Sequence, residues 1–281
     1  MTSTNNNAKN PLHGLWALTN RELKKWYKEP IILFMSIVQP IIWMVLFGKA
    51  MDLGAMFTAT DFPIPPGYNP MEQIFGTSDY FSYMAIGMLS FVVLFTAMFS
   101  GMSIVWDRRL GFLNKVLSTP VARGSIIFAK VFSAVVRSLV QGGIVLLVAF
   151  LLGLQLGPSF NILNILGVFA ALFLVCIGLS SIFILIAIRS TRWETQMAVV
   201  NLLNLPLLFG SNALFSTKTM PDWLQTFAKI NPISYVTDAT RQLMLFQTNT
   251  NQLMLDFAFL AGFALIFSTI GLFLSWRYLT R

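Results

Sequence analysis

The sequence predicts an all-α, polytopic membrane protein with six transmembrane helices. It adds an amphipathic interfacial helix at the N-terminus, short extracellular helices before the last span, and both termini in the cytoplasm. Three observations carry this expectation. Hydrophobic residues make up 56% of the 281 positions and charged residues only 11%, where water-soluble domains carry about 25% charged residues. Uncharged runs close to the ~20 residues that cross hydrocarbon recur six times along the chain. Lysine and arginine crowd the alternate connections between those runs and are scarce in the others.

Residues 1–9 are rich in Asn and Thr and are expected to be disordered. Asn10-Pro11 reads as an N-cap followed by proline at the first helical position. Leu12, Trp16, Thr19, Leu23 and Trp26 then recur at spacings of four and three, with Arg21, Lys24, Lys25 and Lys28 off that stripe. This is the pattern of a helix lying in the membrane interface with its lysines toward anionic headgroups. A soluble amphipathic helix shows the same stripe, and the span that follows at once favours the interface. Residues 1–29 are accordingly read as a cytoplasmic tail and interfacial helix, and 30–281 as the transmembrane domain.

The first span is predicted at 30–49, uncharged until Lys49, with a kink at Pro40. The loop at 51–79 holds Asp52, Asp61, Glu72 and Asp79, several prolines and no basic residue. The second span, 80–105, is long for a bilayer and must tilt or project. A charged interruption at 106–120 follows. Arg123, Lys130 and Arg137 are spaced by seven and share one helical face. The uncharged run begins only at Ser138, so the third span is placed at 137–156. The turn Gly157-Pro158-Ser159 leads to the fourth span at 162–188, and Arg189, Arg192 and Glu194 form the next connection. The fifth span, 196–215, is interrupted by Asn201, Asn204 and Pro206. Residues 220–246 hold two helices too short to cross. Pro221 opens the first, with Trp223, Phe227 and Ile230 on its apolar face, and Asn231-Pro232 ends it and caps the second. An outer-leaflet or re-entrant element fits this pattern. The sixth span is 255–276.

Six spans put both termini on one side, and charge selects the side. Fifteen of the 19 basic residues and four acidic ones fall on the terminal side, against four basic and seven acidic on the other. The imbalance, +11 against −3, marks the terminal side as cytoplasmic. It also accounts for the net charge of +8 by membrane orientation, without nucleic acid as a partner. No secretory signal is expected, and a multi-pass protein of the plasma membrane is.

The spans hold little chemistry. A single Cys176 excludes an intrachain disulfide, and a single His13 near the N-terminus removes histidine-based metal sites and catalysis from the spans. No Ser/His or Asp/Asp pair lies within the spans for proteolysis, and no aspartate cluster for prenyl transfer. Ion-coupled transport normally uses an ionisable group in the membrane. Lys130 and Arg137 come nearest, with snorkelling to the interface as their plainer role. Gln141, Asn201 and Asn204 are the polar groups available to a substrate path, or equally to hydrogen bonds between helices. The 26 phenylalanines, as a lining for a sugar chain or simply as core and lipid-facing bulk, leave the same choice open. No Gly-x-x-x-x-Gly-Lys-Ser/Thr loop occurs, so energy for uphill transport must come from another polypeptide.

That requirement directs attention to 106–120. In it Leu110, Leu113 and Leu117 share an apolar face, with Arg108, Phe112 and Lys115 elsewhere. Periodicity alone fits a docking helix and a solvated basic loop equally. The residues Asp107-Arg108-Arg109-Leu110-Gly111-Phe112 and Leu117-Ser118-Thr119-Pro120-Val121-Ala122-Arg123 resemble the cytoplasmic motif of the type-2 ATP-binding cassette (ABC) transporter permeases. Met220-Pro221-Asp222-Trp223-Leu224-Gln225, Ile230-Asn231-Pro232-Ile233-Ser234-Tyr235 and Asp238-Ala239-Thr240-Arg241 resemble the same family's extracellular segment before its last span. The resemblance covers nearly the whole chain after about residue 10. It is closest to daunorubicin-resistance exporters and nodulation-factor exporters, with polysaccharide and O-antigen exporters as neighbours.

The resemblance implies a transporter subunit, not an enzyme. Such a subunit dimerises with a second permease copy, identical or different, and pairs with separate ATPase subunits. It carries no cofactor of its own, ATP and Mg being held by the partner, and it works in contact with membrane lipid. The family's coupling helix would correspond to 106–120, with Asp107, Arg108, Arg109, Gly111, Phe112 and Lys115 toward the ATPase and Arg123, Lys130 and Arg137 as a cytoplasmic basic face behind it. The extracellular gate would involve Pro221, Trp223, Asn231, Pro232 and Arg241. The expected cargo is a hydrophobic or amphipathic compound moved outward. An ATPase-independent channel or secondary transporter, and a membrane anchor for a regulatory ATPase, are the readings from other classes.

Overall fold

The computed structural model describes residues 11–50, 70–119, 121–190 and 192–279. The N-terminal tail, most of the acidic loop and Pro120 lie outside the described residues, as do the side chains of Leu12, His13 and Trp276. Among the described residues all regular structure is helical. The helices are α1 (Pro11–Lys28), α2 (Pro30–Trp43), α3 (Pro70–Phe75), α4 (Tyr80–Arg109), α5 (Phe112–Leu117), α6 (Arg123–Leu151), α7 (Asn164–Arg189), α8 (Trp193–Phe209), α9 (Asp222–Ala228), α10 (Pro232–Met244) and α11 (Thr250–Leu279). Among the described residues five stretches are long and apolar enough to cross a membrane: Leu33–Ala50, Met71–Arg109, Arg123–Leu151, Asn164–Arg189 and Thr250–Leu274. The chain is a multi-pass membrane protein by this criterion.

Several boundaries differ from the sequence-based expectation, each for a local reason. α2 passes through Pro40 and widens one turn later into π-helical turns at Met44–Ala50. Such widening follows where proline removes a backbone donor from the ladder. α6 is one continuous helix from Arg123, so the basic turns and the apolar run form a single element that ends at Leu151. α8 has 17 residues and stops at Phe209, six residues short of the expected Phe215. Pro206 and Gly210 weaken its last turn, and the following backbone finds partners outside the helix.

α4 and α7 form the centre, and α6, α10 and α11 pack around them. α4 buries nearly every residue from Tyr80 to Ala97, while α2, α8 and α11 are open along much of their length. Asp79 starts α4 by accepting the Phe81 and Ser82 amides at 3.2 and 3.1 Å. α10 enters the bundle: eleven of its 13 residues are buried. It therefore packs against α4, α7 and α11 and does not lie on a surface. Asn231 caps it by accepting the Ile233 amide, with Pro232 at the first helical position.

Candidate functional sites at the two ends of the bundle

Tyr83 and Asp107 lie 24 positions apart on α4, about 36 Å at the helical rise. Each marks an end of the bundle where a buried cation gathers several elements.

At the Asp107 end the cation is Lys130, whose side chain is 4% exposed. Its Nζ stands 2.6 Å from Asp107 Oδ2, 3.2 Å from Glu22 Oε1 and 2.9 Å from Ser103 Oγ. Arg21 donates to Glu22 Oε1 at 2.9 Å and to Asp107 Oδ1 at 3.1 Å, and Lys25 reaches Asp107 Oδ1 at 2.8 Å. Two carboxylates thus hold three cations, and the cluster joins α1, α4 and α6. The Arg21 guanidinium also sits 3.2 Å over the ring of Phe112. Leu18 of α1 packs with Leu113, Val116 and Ile126, which locks α5 into the same assembly.

This geometry changes the reading of the basic residues. Lys130 does not snorkel, being buried against Glu22 of α1, whereas Arg123 and Arg137 on the same helix are partly exposed. Arg137 is half-buried and donates its Nε to the Ser133 carbonyl at 3.2 Å. On α1 the buried positions are Thr19, the middle residue of the expected stripe, and Glu22, while Trp16 of the same stripe is 63% exposed.

Within 106–119 some side chains turn inward and others outward. Asp107 belongs to the cluster, and Arg108 donates to the Ile188 and Ser190 carbonyls at 2.7 and 2.9 Å. It thereby caps the C-terminal end of α7, where unpaired carbonyls and the helix dipole favour a cation. Arg109, Leu110 and Lys115 are exposed at the tip. Gly111, at φ +69°, turns the chain from α4 into α5, a conformation that suits glycine. The apolar face of α5 is Leu113, Val116 and Leu117, Leu110 lying in the turn before it.

At the other end the cation is Arg241, which is 1% exposed. Beyond α8 the backbone is unwound, and its carbonyls turn to this side chain. Arg241 donates to Asn212 O at 2.6 Å, to Ala213 O at 2.7 Å and to Tyr83 O at 3.0 Å, with its guanidinium 3.4 Å over the Tyr83 ring. Tyr83 and Tyr80 donate their hydroxyls to Asn212 O and Leu214 O. Ala213 comes so close to α4 that a Cβ on Gly87 would collide with its carbonyl oxygen. Asn231 donates to Leu207 O and Gly210 O, both at 2.8 Å, tying the end of α8 to the start of α10. Nearby, Gln242 bridges Asp256 at 3.1 Å and Asp238 at 3.5 Å. Burial pushes the Asp238 carboxyl above the ordinary aspartate range, opposed by Arg241 and the Gln242 hydrogen bond. Pro221 and Trp223 are exposed on α9, Trp223 by 72%, and Pro232 is buried.

Between the ends, Gln141 is committed to the fold. Its Nε2 donates to Ser36 Oγ at 2.5 Å and its Oε1 accepts from Thr96 Oγ1 at 2.7 Å, joining α2, α4 and α6. Asn201 is exposed on α8, and Asn204 keeps a buried, unpartnered Oδ1. Sequence reasoning missed Glu22 as the second carboxylate for Lys130, and Gln196, which is wholly buried with neither amide atom paired. A lysine inside an apolar helix is itself the signal that a carboxylate must lie near it. Among the described residues no three His, Cys, Asp or Glu side chains come together as metal ligands.

Comparison with known proteins places the chain among transport permeases. The model of the ABC-2 type transporter family matches residues 13–245. The transport permease ycf38 of Cyanophora paradoxa is 33% identical over 230 residues, covering 82% of this chain and 73% of the relative. Nodulation protein J of Sinorhizobium fredii is 24% identical over 82% of this chain and 80% of its own. The daunorubicin resistance ABC transporter permease protein DrrB1 of Streptomyces coeruleorubidus is 24% identical over 60% of this chain and 59% of its own.

Proposed function

Because this chain belongs to the ABC-2 type transporter family, we propose that it is the membrane subunit of an ATP-driven exporter that moves a hydrophobic or amphipathic compound outward. In this reading α8 is the fifth of six spans, its 17 residues extended by the unwound 210–216 segment, and both termini lie in the cytoplasm beneath the plasma membrane. Residues 30–281 act as one transmembrane domain, paired with a second permease copy. ATP and Mg are bound by separate ATPase subunits.

The observation that carries the proposal is the construction of the elbow between α4 and α6. Its exposed tip, Arg109, Leu110 and Lys115, offers two cations and an apolar side chain to a partner. Its base is fixed to α1, α4, α6 and α7 through Lys130 and Arg108. Closure of an ATPase pair against such a tip would move four helices together, a rigid-body mode of transmission. At the Arg241 end, the Asn231 and Arg241 contacts make α8 and α10 one gating unit. The similarity to the drug-resistance permease DrrB1 and to nodulation protein J supports an amphipathic cargo.

The test targets residues that face out. Arg109→Glu with Lys115→Glu should insert and fold normally yet lose the ATPase subunit on purification from its native membrane, at least tenfold below wild type. Co-purification at normal yield would rule out the elbow as the docking element.

A further inference from the structure

Among the described residues, the buried side-chain polar atoms with no hydrogen-bond partner are Gln196 Nε2 and Oε1, Asn204 Oδ1, Asn212 Oδ1 and Ser234 Oγ. Two of these residues lie on one side of α8, and the other two lie beyond its C-terminal end in the chain. Gln196 lies in the first turn of α8 and Asn204 two turns on, roughly 12 Å along the same side. Asn212 is in the unwound segment beyond that helix, and Ser234 is in the first turn of α10. Val200 and Leu208, the other buried residues of α8, fall at the intervening four-residue steps. The inward face of α8 therefore reads Gln, Val, Asn, Leu. Elsewhere the bundle pairs its polar groups: Gln141 uses both ends of its amide, and Ser90 meets Thr237 at 2.7 Å. Leaving several orphans on one seam is costly away from water.

The geometry points to a function for that seam. We propose that the inward face of α8 is the collapsed form of a hydrogen-bonding track, occupied in transit by the polar part of a neutral or cationic amphipath bearing hydroxyl or amine donors. The proposal rests on the exporter reading and names the cargo class for it. α8 is the helix best able to part from α4, since it is exposed along its other faces and interrupted by Pro206. Three of the five orphan atoms are amide carbonyl oxygens, which accept and cannot donate. No lysine or arginine occurs from Trp193 to Ser216. Arg241, the buried cation at the outer end, already faces the carbonyls of Tyr83, Asn212 and Ala213. A phosphate or carboxylate would enter this seam unpaired. A second copy docking on the exposed side of α8 reaches none of these atoms, because they are covered within the single chain.

The test is photolabelling of the full-length permease in phosphatidylcholine nanodiscs, with any ATPase that co-purifies, using a diazirine-tagged decyl glucoside. The track requires label on residues 196–212, competition by decylammonium and not by decyl phosphate, and at least a tenfold loss of label in Gln196→Met with Asn204→Leu. That double variant should also unfold at a higher temperature than wild type, because it removes orphan groups without removing a bond. Label elsewhere, equal competition by decyl phosphate, unchanged labelling of the variant, or a lowered melting temperature would each overturn the track. ATPase retention is scored on the same preparation. Its loss counts against the exporter reading alone, and the labelling result counts for or against the track alone.

Discussion

The two ends of α4 solve the same problem with different chemistry. Lys130 is held by two carboxylates that other cations share, whereas Arg241 is held by main-chain carbonyls and the ring of Tyr83. The Lys130 cluster joins helices α1, α4 and α6 through side chains alone, so it can be rearranged by rotating or replacing any of them. The Arg241 assembly fixes the path of an unwound backbone, whose carbonyls must find side-chain donors once the chain has left the helix. A lever needs joints that transmit force between preformed helices. A gate that contains irregular backbone at membrane depth needs a permanent partner for that backbone.

The largest effect should come from Arg241. Arg241→Met removes a buried cation and its hydrogen bonds to the Asn212, Ala213 and Tyr83 carbonyls, leaving Asn212 O only the Tyr83 hydroxyl, and the loss should be about 4 kcal/mol or more. Arg241→Lys keeps the charge but not the planar fork, and should recover only part of that. Thermal unfolding in nanodiscs checks both. An Arg241→Met protein melting with wild type would dissolve the contrast between the ends.

Lys130 comes second. Lys130→Met leaves Glu22 and Asp107 with only the more exposed Arg21 and Lys25, and the expected loss is about 3 kcal/mol. Here the comparison makes a sharper demand. Neutralising the partners as well, with Glu22→Gln and Asp107→Asn, should restore much of the stability. The cluster's cost lies in unbalanced charge, which the Arg241 end has no equivalent means of relieving. A double-mutant cycle measures this directly, and additive losses would refute a shared network.

How much of this was legible in the sequence follows from the range of each interaction. Helix identity, the charge asymmetry and the Asn231-Pro232 cap depend on neighbours within a few residues, and the pattern at those positions is sufficient. The Glu22–Asp107–Lys130 cluster joins positions 85 and 23 apart, and no local period encodes it. The length and the Asn231-Pro232 cap of helix α10 leave an outer-leaflet and a re-entrant placement both open, and neither shows which neighbours bury it. Five of its eleven buried side chains are polar, and the partners of two of them, Thr237 and Arg241, lie about 150 positions away on α4. The helix end at Phe209 is hidden from the sequence for a related reason. The apolar run continues through Leu214 and Phe215, but helix geometry there gives way to carbonyls drawn toward Arg241.

Arg108 separates chemistry from burial, and it should show the smallest effect. Like Arg241 it donates to main-chain carbonyls, those of Ile188 and Ser190 at the end of α7. Unlike Arg241 it is only half-buried, at the end of the bundle where the chain carries most of its charge. Water can replace it on those carbonyls, so Arg108→Met should lower stability by only about 1 kcal/mol. Its loss should be more visible in coupling, because it is the link from the elbow to α7. ATPase activity stimulated by cargo should fall more than ATPase retention does. If Arg108→Met proves as destabilising as Arg241→Met, carbonyl capping itself rather than burial sets the cost, and the two ends differ less than their surroundings imply.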